Sequence, residues 1–232
     1  MRRAKSLLRS LGKRPLKGLG QHFLLDTNVL SKIVAAAQLT EQDTVIEVGP
    51  GLGILTQELA RRASKVIAVE IDVALADFLR EALASYQNIS IIQADILKTN
   101  PSELLGEGEE PQPAAPTPRP YKMVADLPYN IAAPVMRHFL EARDKPQLIV
   151  VMVQREVARR LAARPGKMSP LSVGIQLYGH PTIVSTVSPG SFYPSPKVHS
   201  AIVHIEVYPK PAVDVLPEAF FRVVRAGFSQ PR

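Results

Sequence analysis

Apolar and polar positions along this chain form short apolar runs that alternate with amphipathic stretches. The runs at 45–49 (VIEVG), 65–71 (KVIAVEI), 89–94, 122–127 and 147–153 predict buried strands. The stretches at 54–63, 73–85, 133–142 and 155–163 predict helices between and after them. Strands alternating with helices argue for a mostly parallel sheet covered on both faces. Two further runs, 183–187 and 201–207, have no long helix between them and predict an antiparallel pair closing one edge. A last helix is expected over 216–226.

Residues 111–120 (PQPAAPTPRP) hold five prolines. Proline removes a backbone donor, so this segment is neither helix nor central strand. It reads as the tip of a surface insert at 106–120. No run of eighteen apolar residues predicts a membrane helix. The chain has no cysteine, which excludes disulfides, zinc–thiolate sites and thiol catalysis and makes the cytoplasm the expected compartment. No cluster of His and acids has metal-ligand spacing, so no metal site is expected. His138 and His180 read as structural.

The formal charge is +7. Arg2, Arg3, Lys5, Arg9, Lys13, Arg14 and Lys17 all precede the first acid, Asp26, and account for the whole excess. A basic arm at 1–17 on a neutral body points to a polyanionic partner. A solvated tail remains the alternative, and a transit peptide is disfavoured because the arm runs straight into a motif.

Glu47-Val48-Gly49-Pro50-Gly51-Leu52-Gly53 follows a predicted strand and precedes a predicted helix. Gly49 and Gly51 let the backbone turn tightly and approach a ligand. Such a turn serves nicotinamide, flavin and S-adenosylmethionine sites alike. Three acids narrow the choice. Glu47 lies just before the glycines, where it would repel a pyrophosphate but suit a cationic amino group. Glu70, 17 residues after Gly53, ends the second strand and can accept from both ribose hydroxyls. Asp95 ends the third strand, placed for an adenine amino group. Acids at successive strand ends converge where open parallel sheets bind ligands.

Asp126-Leu127-Pro128-Tyr129-Asn130 follows the fourth strand. An exocyclic adenine amine is a poor nucleophile because its lone pair is delocalised into the ring. Two acceptors for its N–H groups draw the nitrogen towards tetrahedral geometry. The Asp126 side chain and the Leu127 carbonyl are the candidates. Pro128 restricts Leu127 and so helps aim that carbonyl, and Tyr129 offers a ring for a flipped base. Taken alone, the segment also fits an ordinary turn.

Together, Gly20-Gln21-His22-Phe23-Leu24, the glycine turn, Asp126-Leu127-Pro128-Tyr129-Asn130-Ile131 and Phe192-Tyr193-Pro194-Ser195-Pro196-Lys197-Val198-His199-Ser200 resemble the rRNA adenine N6,N6-dimethyltransferases over roughly residues 17–232. The likeness implies a Rossmann-like class I methyltransferase with a seven-stranded sheet over 18–208, and the start of a small helical RNA-binding domain over 209–232, cut short. It implies S-adenosylmethionine as methyl donor. His22, Leu24, Gly49, Gly51, Glu70, Asp95 and Asp126 would hold it. Asp126 through Tyr129 would act on the target adenine, with Phe192 completing the stacking site and Lys197 contacting phosphate.

The glycine turn and catalytic loop look closest to the small-subunit branch, which dimethylates two adjacent adenines near the 3′ end of 16S rRNA. A monomer acting on the 30S subunit is then expected. Two positions depart from the family: Asp126 where Asn is usual, and His22 where Asn is common. A 23S rRNA dimethyltransferase and an RNA-binding assembly factor with weak catalysis stay open as rivals; a nicotinamide oxidoreductase is disfavoured by the absence of a substrate-domain catalytic dyad.

Overall fold

The computed structural model describes residues 21–106 and 120–229. The basic arm, Gly20 and nearly all of the proline-rich insert lie outside them. Nine strands are described: β1 (Phe23–Leu24), β2 (Thr44–Val48), β3 (Lys65–Glu70), β4 (Ile89–Gln93), β5 (Tyr121–Asp126), β6 (Leu148–Gln154), β7 (Gly179–Val187), β8 (Phe192–Tyr193) and β9 (Ser200–Val207). Eight α-helices accompany them: α1 (Thr27–Ala36), α2 (Ile54–Ala60), α3 (Val73–Ala82), α4 (Pro101–Leu104), α5 (Ala132–Glu141), α6 (Arg155–Leu161), α7 (Pro170–Gln176) and α8 (Pro217–Phe228).

Seven strands form one sheet in the order β4-β3-β2-β5-β6-β9-β7. From β4 to β6 every pair is parallel, while β9 and β7 are antiparallel to their neighbours. This is the mostly parallel sheet with an antiparallel edge that the hydrophobic pattern predicts, in the Rossmann-like form that the resemblance implies. Alternate residues of each central strand feed different faces. Ile46, Ile67, Met123 and Ile149 pack with α5, α6 and α7. Val45, Val66, Val124 and Val150 pack with α1 and α2. Both faces are covered, which is why β2, β3, β5 and β6 read as almost unbroken apolar runs. The chain reverses strand order between β4 and β5, so the C-terminal ends of β2 and β5 lie side by side. Open sheets bind ligands at such a switch point.

Local chemistry explains most boundaries. Asp26 caps α1 by accepting from the N–H groups of Asn28 and Val29, and Asp72 caps α3 in the same way. Ser169 and Ser172 form a reciprocal capping box at α7. Two expected helices are shorter than their apolar pattern. The 54–63 stretch leaves helix after Ala60, and 73–85 after Ala82. Leu83 and Ala63 stay buried as the chain turns back into the sheet. β7 starts at Gly179, earlier than the run at 183–187 predicts, because its first residues alternate buried and exposed instead of forming an apolar run. α1, α4, α7, β1 and β8 are additions to the sequence reading. No helix among the described residues is long and apolar enough to cross a membrane.

Candidate active site

The C-terminal ends of β2, β3 and β5, the segments that follow β4 and β5, and residues 21–24 surround one cavity of about 260 Å³. His22, Leu24, Gly49, Gly51, Glu70, Asp95, Asp126, Leu127, Pro128, Tyr129 and Phe192 all line it. Of the site residues expected from sequence, Lys197 alone does not. It is exposed, on the segment between β8 and β9.

The glycine turn does two jobs. Gly49 and Gly51 both have positive φ, at 70° and 56°, and both face the cavity. A Cβ on Gly51 would sit 3.1 Å from the Phe23 ring, so the bare backbone leaves room for the segment that closes the site. Gly53 does not line the cavity. Its φ is 75°, and a Cβ there would come within 2.7 Å of Leu79 Cδ2, so it serves helix packing.

Glu70 is nearly buried at the end of β3. Its Oε2 accepts from the Gly51 N–H at 3.3 Å and its Oε1 from the Asp72 N–H at 3.0 Å. Burial raises its pKa, and those backbone donors oppose the rise. Each carboxylate oxygen keeps acceptor capacity on its second lone pair. Asp95 lies two residues beyond the end of β4, where it caps a short 3-10 turn over Ile96–Lys98 by accepting from the Leu97 N–H at 3.1 Å. Ile71 and Leu97, directly after the Glu70 strand end and within that turn, line the cavity and are 49% and 37% exposed. They supply flat apolar walls between two acids, which suits a purine edged by hydrogen-bonding groups. The sequence reading missed both; an apolar residue placed just past each acid was the available signal.

Glu47 forms the floor. It is 1% exposed, and burial, reinforced by the nearby Glu70, lifts its pKa to about 8. Thr56 on α2 lies near enough to oppose that rise. Yet Thr56 Oγ1 and Glu47 Oε2 both lack a hydrogen-bond partner among the described residues. Asp126, the last residue of β5, is pushed up by burial and by Glu47. Four acids therefore line the cavity with no Lys or Arg among the lining residues. Such a site matches a ligand carrying cationic groups and opposes a pyrophosphate.

At the mouth, three distant segments meet. The Tyr129 hydroxyl and Ser200 Oγ are 2.8 Å apart, and burial raises the tyrosine pKa. The His22 ring lies 5.7 Å from the Tyr129 ring at 31°. His22 Nδ1 is 2.7 Å from the Pro194 carbonyl oxygen. β1 and β8 pair antiparallel, Phe23 opposite Tyr193 and Leu24 opposite Phe192. Phe192 is only 2% exposed, so it acts as a wall behind the mouth, while Tyr129 keeps a half-buried ring at the opening. Gln21, Phe23, Asn130 and Ile131 also line the cavity.

Comparison with known proteins gives a consistent picture. The profile of the family described as "Ribosomal RNA adenine dimethylase" matches residues 13–232. A "Ribosomal RNA small subunit methyltransferase A" of Dehalococcoides mccartyi is 48% identical over all of this chain and 77% of its own length. A protein of the same name from Moorella thermoacetica is 44% identical, over 99% of this chain and 80% of its own length. Among solved structures, a 23S rRNA methyltransferase, ErmE, aligns with TM-score 0.74 at 32% identity, over 89% of this chain and 79% of that one. A dimethyladenosine transferase from Plasmodium falciparum aligns with TM-score 0.75 at 28% identity, over 91% of this chain and 72% of that one.

Proposed function

Because the chain belongs to the ribosomal RNA adenine dimethylase family, we propose that it methylates N6 of two adjacent adenines in the 3′-terminal hairpin loop of 16S rRNA, using S-adenosylmethionine. Relatives named for the small subunit match the whole chain at 48% identity, against 32% for the 23S enzyme. The observation that carries the chemistry is the acidic cavity with the Asp126–Tyr129 segment beside it.

The residues fit the donor. The cavity offers carboxylates and no competing cation, and an orphaned buried oxygen on Glu47. Glu70 would take the ribose hydroxyls, Asp95 the adenine amino group, and Ile71 and Leu97 the faces of the ring. Gly49, Gly51, His22 and Leu24 shape the remaining walls. When bound, S-adenosylmethionine supplies an electrophilic methyl group on a sulfonium.

The chain itself prepares the nucleophile. Asp126 and the Leu127 carbonyl accept the two N6–H bonds and localise the nitrogen lone pair. Pro128 restrains Leu127. Tyr129 stacks the flipped base and is braced by Ser200 and His22. An RNA loop lowers the cost of extruding that base. Lys197 and the basic residues at 1–17 would contact phosphate, with residues from 209 onward contributing to the RNA face. The chain would work as a monomer on the 30S subunit in the cytoplasm.

Tritiated methyl transfer to unmodified 30S subunits, followed by mapping of the modified bases, tests this. Two adjacent dimethylated adenines near the 16S 3′ end are expected. Label confined to 23S rRNA would refute the assignment.

A further inference from the structure

Glu47 is the deepest acid of the cavity, and no cation or backbone donor among the described residues pairs with its Oε2. It is 1% exposed and its Oε2 has no partner. The nearest support, Thr56 on α2, has an unpartnered hydroxyl of its own. On the sheet, Glu47 of β2 sits opposite Val124 of β5, and Asp126 lies two residues further along the same face. β2 and β5 are adjacent and parallel, so the two carboxylates stand on one face of the sheet. Both line the same cavity.

The groups facing this pair are few. β3 contributes Glu70, the segment after β4 contributes Asp95, and the chain before β1 contributes His22. Tyr129 sends its hydroxyl to Ser200. From α2 comes only the Thr56 hydroxyl. On α1, Lys32 reaches Ser185 at the surface. No lining residue is a Lys or Arg. Two neighbouring carboxylates in a water-poor site with no cation cannot both ionise, so one proton stays with them.

We propose that Glu47 and Asp126 hold one proton between them and act as the acceptor for the proton that N6 sheds on methylation, a role that rests on the methyl-transfer reading above. Each methyl gained leaves N6 one positive charge in excess. The N–H bond breaks and its electron pair stays on nitrogen. The proton forms an O–H bond on the Asp126 carboxylate, and the pair passes from one proton to two. One proton then returns to water through the open mouth, and the pair is back to a single shared proton. An amide at position 126 accepts the hydrogen bond but cannot take the proton. A carboxylate at position 126 therefore adds a proton acceptor to the hydrogen-bonding role.

The test begins with the protein free of cofactor. Carboxyl-labelled aspartate and glutamate are followed by carbon-13 NMR against pH. Glu47 and Asp126 are expected to titrate as a coupled pair. Glu47→Gln lowers the Asp126 midpoint by about one pH unit or more, and Asp126→Asn lowers that of Glu47 similarly. Midpoints that ignore the partner's substitution would overturn the pair, with transfer to 16S rRNA untouched. Single-turnover methyl transfer is then measured against pH. Wild type should lose rate on the acidic side, Glu47→Gln should move that limb down, and Asp126→Asn should abolish it. An unchanged limb in Asp126→Asn would overturn the acceptor role. Transfer to no RNA at any pH, with the coupled titration intact, would instead refute the substrate assignment, and the acceptor role with it.

Discussion

The two ends of the main sheet are built for different work. From β4 to β5 the strands run parallel and deliver Glu47, Glu70, Asp95 and Asp126 to one cavity. At the other end β9 and β7 run antiparallel and send no acid there. Parallel strands linked through helices bring all their C-terminal ends to one side, so side chains from separate strands converge. Antiparallel strands alternate direction and divide their loops between both ends. That end instead supplies support: Ser200 at the start of β9 braces Tyr129, and the chain between β7 and β9 provides β8, which carries Phe192 and pairs with β1 in a separate two-stranded sheet. Chemistry and bracing are separated along the sheet.

Substitutions can break or sharpen this contrast. The largest effect is expected at the floor. Glu47 holds a proton up to about pH 8 in the fold, whereas an ordinary glutamate releases it from about 4.5. The unfolded chain binds fewer protons across that window, so stability falls as pH rises through it and levels above. Glu47→Gln removes that penalty, by about 3–5 kcal/mol near pH 8 and little at pH 4.5, read from denaturant unfolding. Next, Asp126→Ala should cut turnover about a hundredfold while circular dichroism shows the fold intact. Turnover equal to wild type would remove Asp126 from the mechanism.

Gly53→Ala sharpens the contrast within the glycine turn itself. It should cost about 1–2 kcal/mol through its positive φ and the Leu79 contact, with donor affinity of the folded protein unchanged. Glu70→Gln should do the reverse, weakening S-adenosylmethionine about tenfold by calorimetry at little cost in melting temperature. The smallest effect belongs to the bracing end. α8 has no buried residue and rests on the body through Phe220 and Phe221, the latter 5.6 Å from the Arg137 guanidinium. Phe221→Ala should lower stability by about 1 kcal/mol and leave transfer to a short adenine-containing oligonucleotide intact.

The parallel half was legible in sequence because its signals are local. Each buried strand is one apolar run, each acid lies at or near a strand's C-terminal end, and Gly49 and Gly51 sit between strand and helix. α1 was overlooked although Asp26 and the spacing of Val29, Leu30, Ile33 and Val34 encode a capped amphipathic helix. α7 is short, and its cap rests on Ser169 and Ser172. The mouth was legible only as separate motifs. No periodicity joins Phe23 to Tyr193 or His22 to Pro194, and the exposure of Ile71 and Leu97 departs from the rule that apolar residues hide. The same distance explains Lys197. Its motif was recognised, yet its side chain stands outside the cavity that the neighbouring Phe192 lines.

The pairing of β1 with β8 has a consequence for how the molecule is made. His22 and Pro194 are 172 positions apart, so residues 22–24 leave the ribosome long before the strand they pair with. Contacts of such separation carry a high loop-closure cost and form late. A half-synthesised chain can hold its glycine turn and its buried acids together, but the gate over them closes only when residues 192–194 arrive.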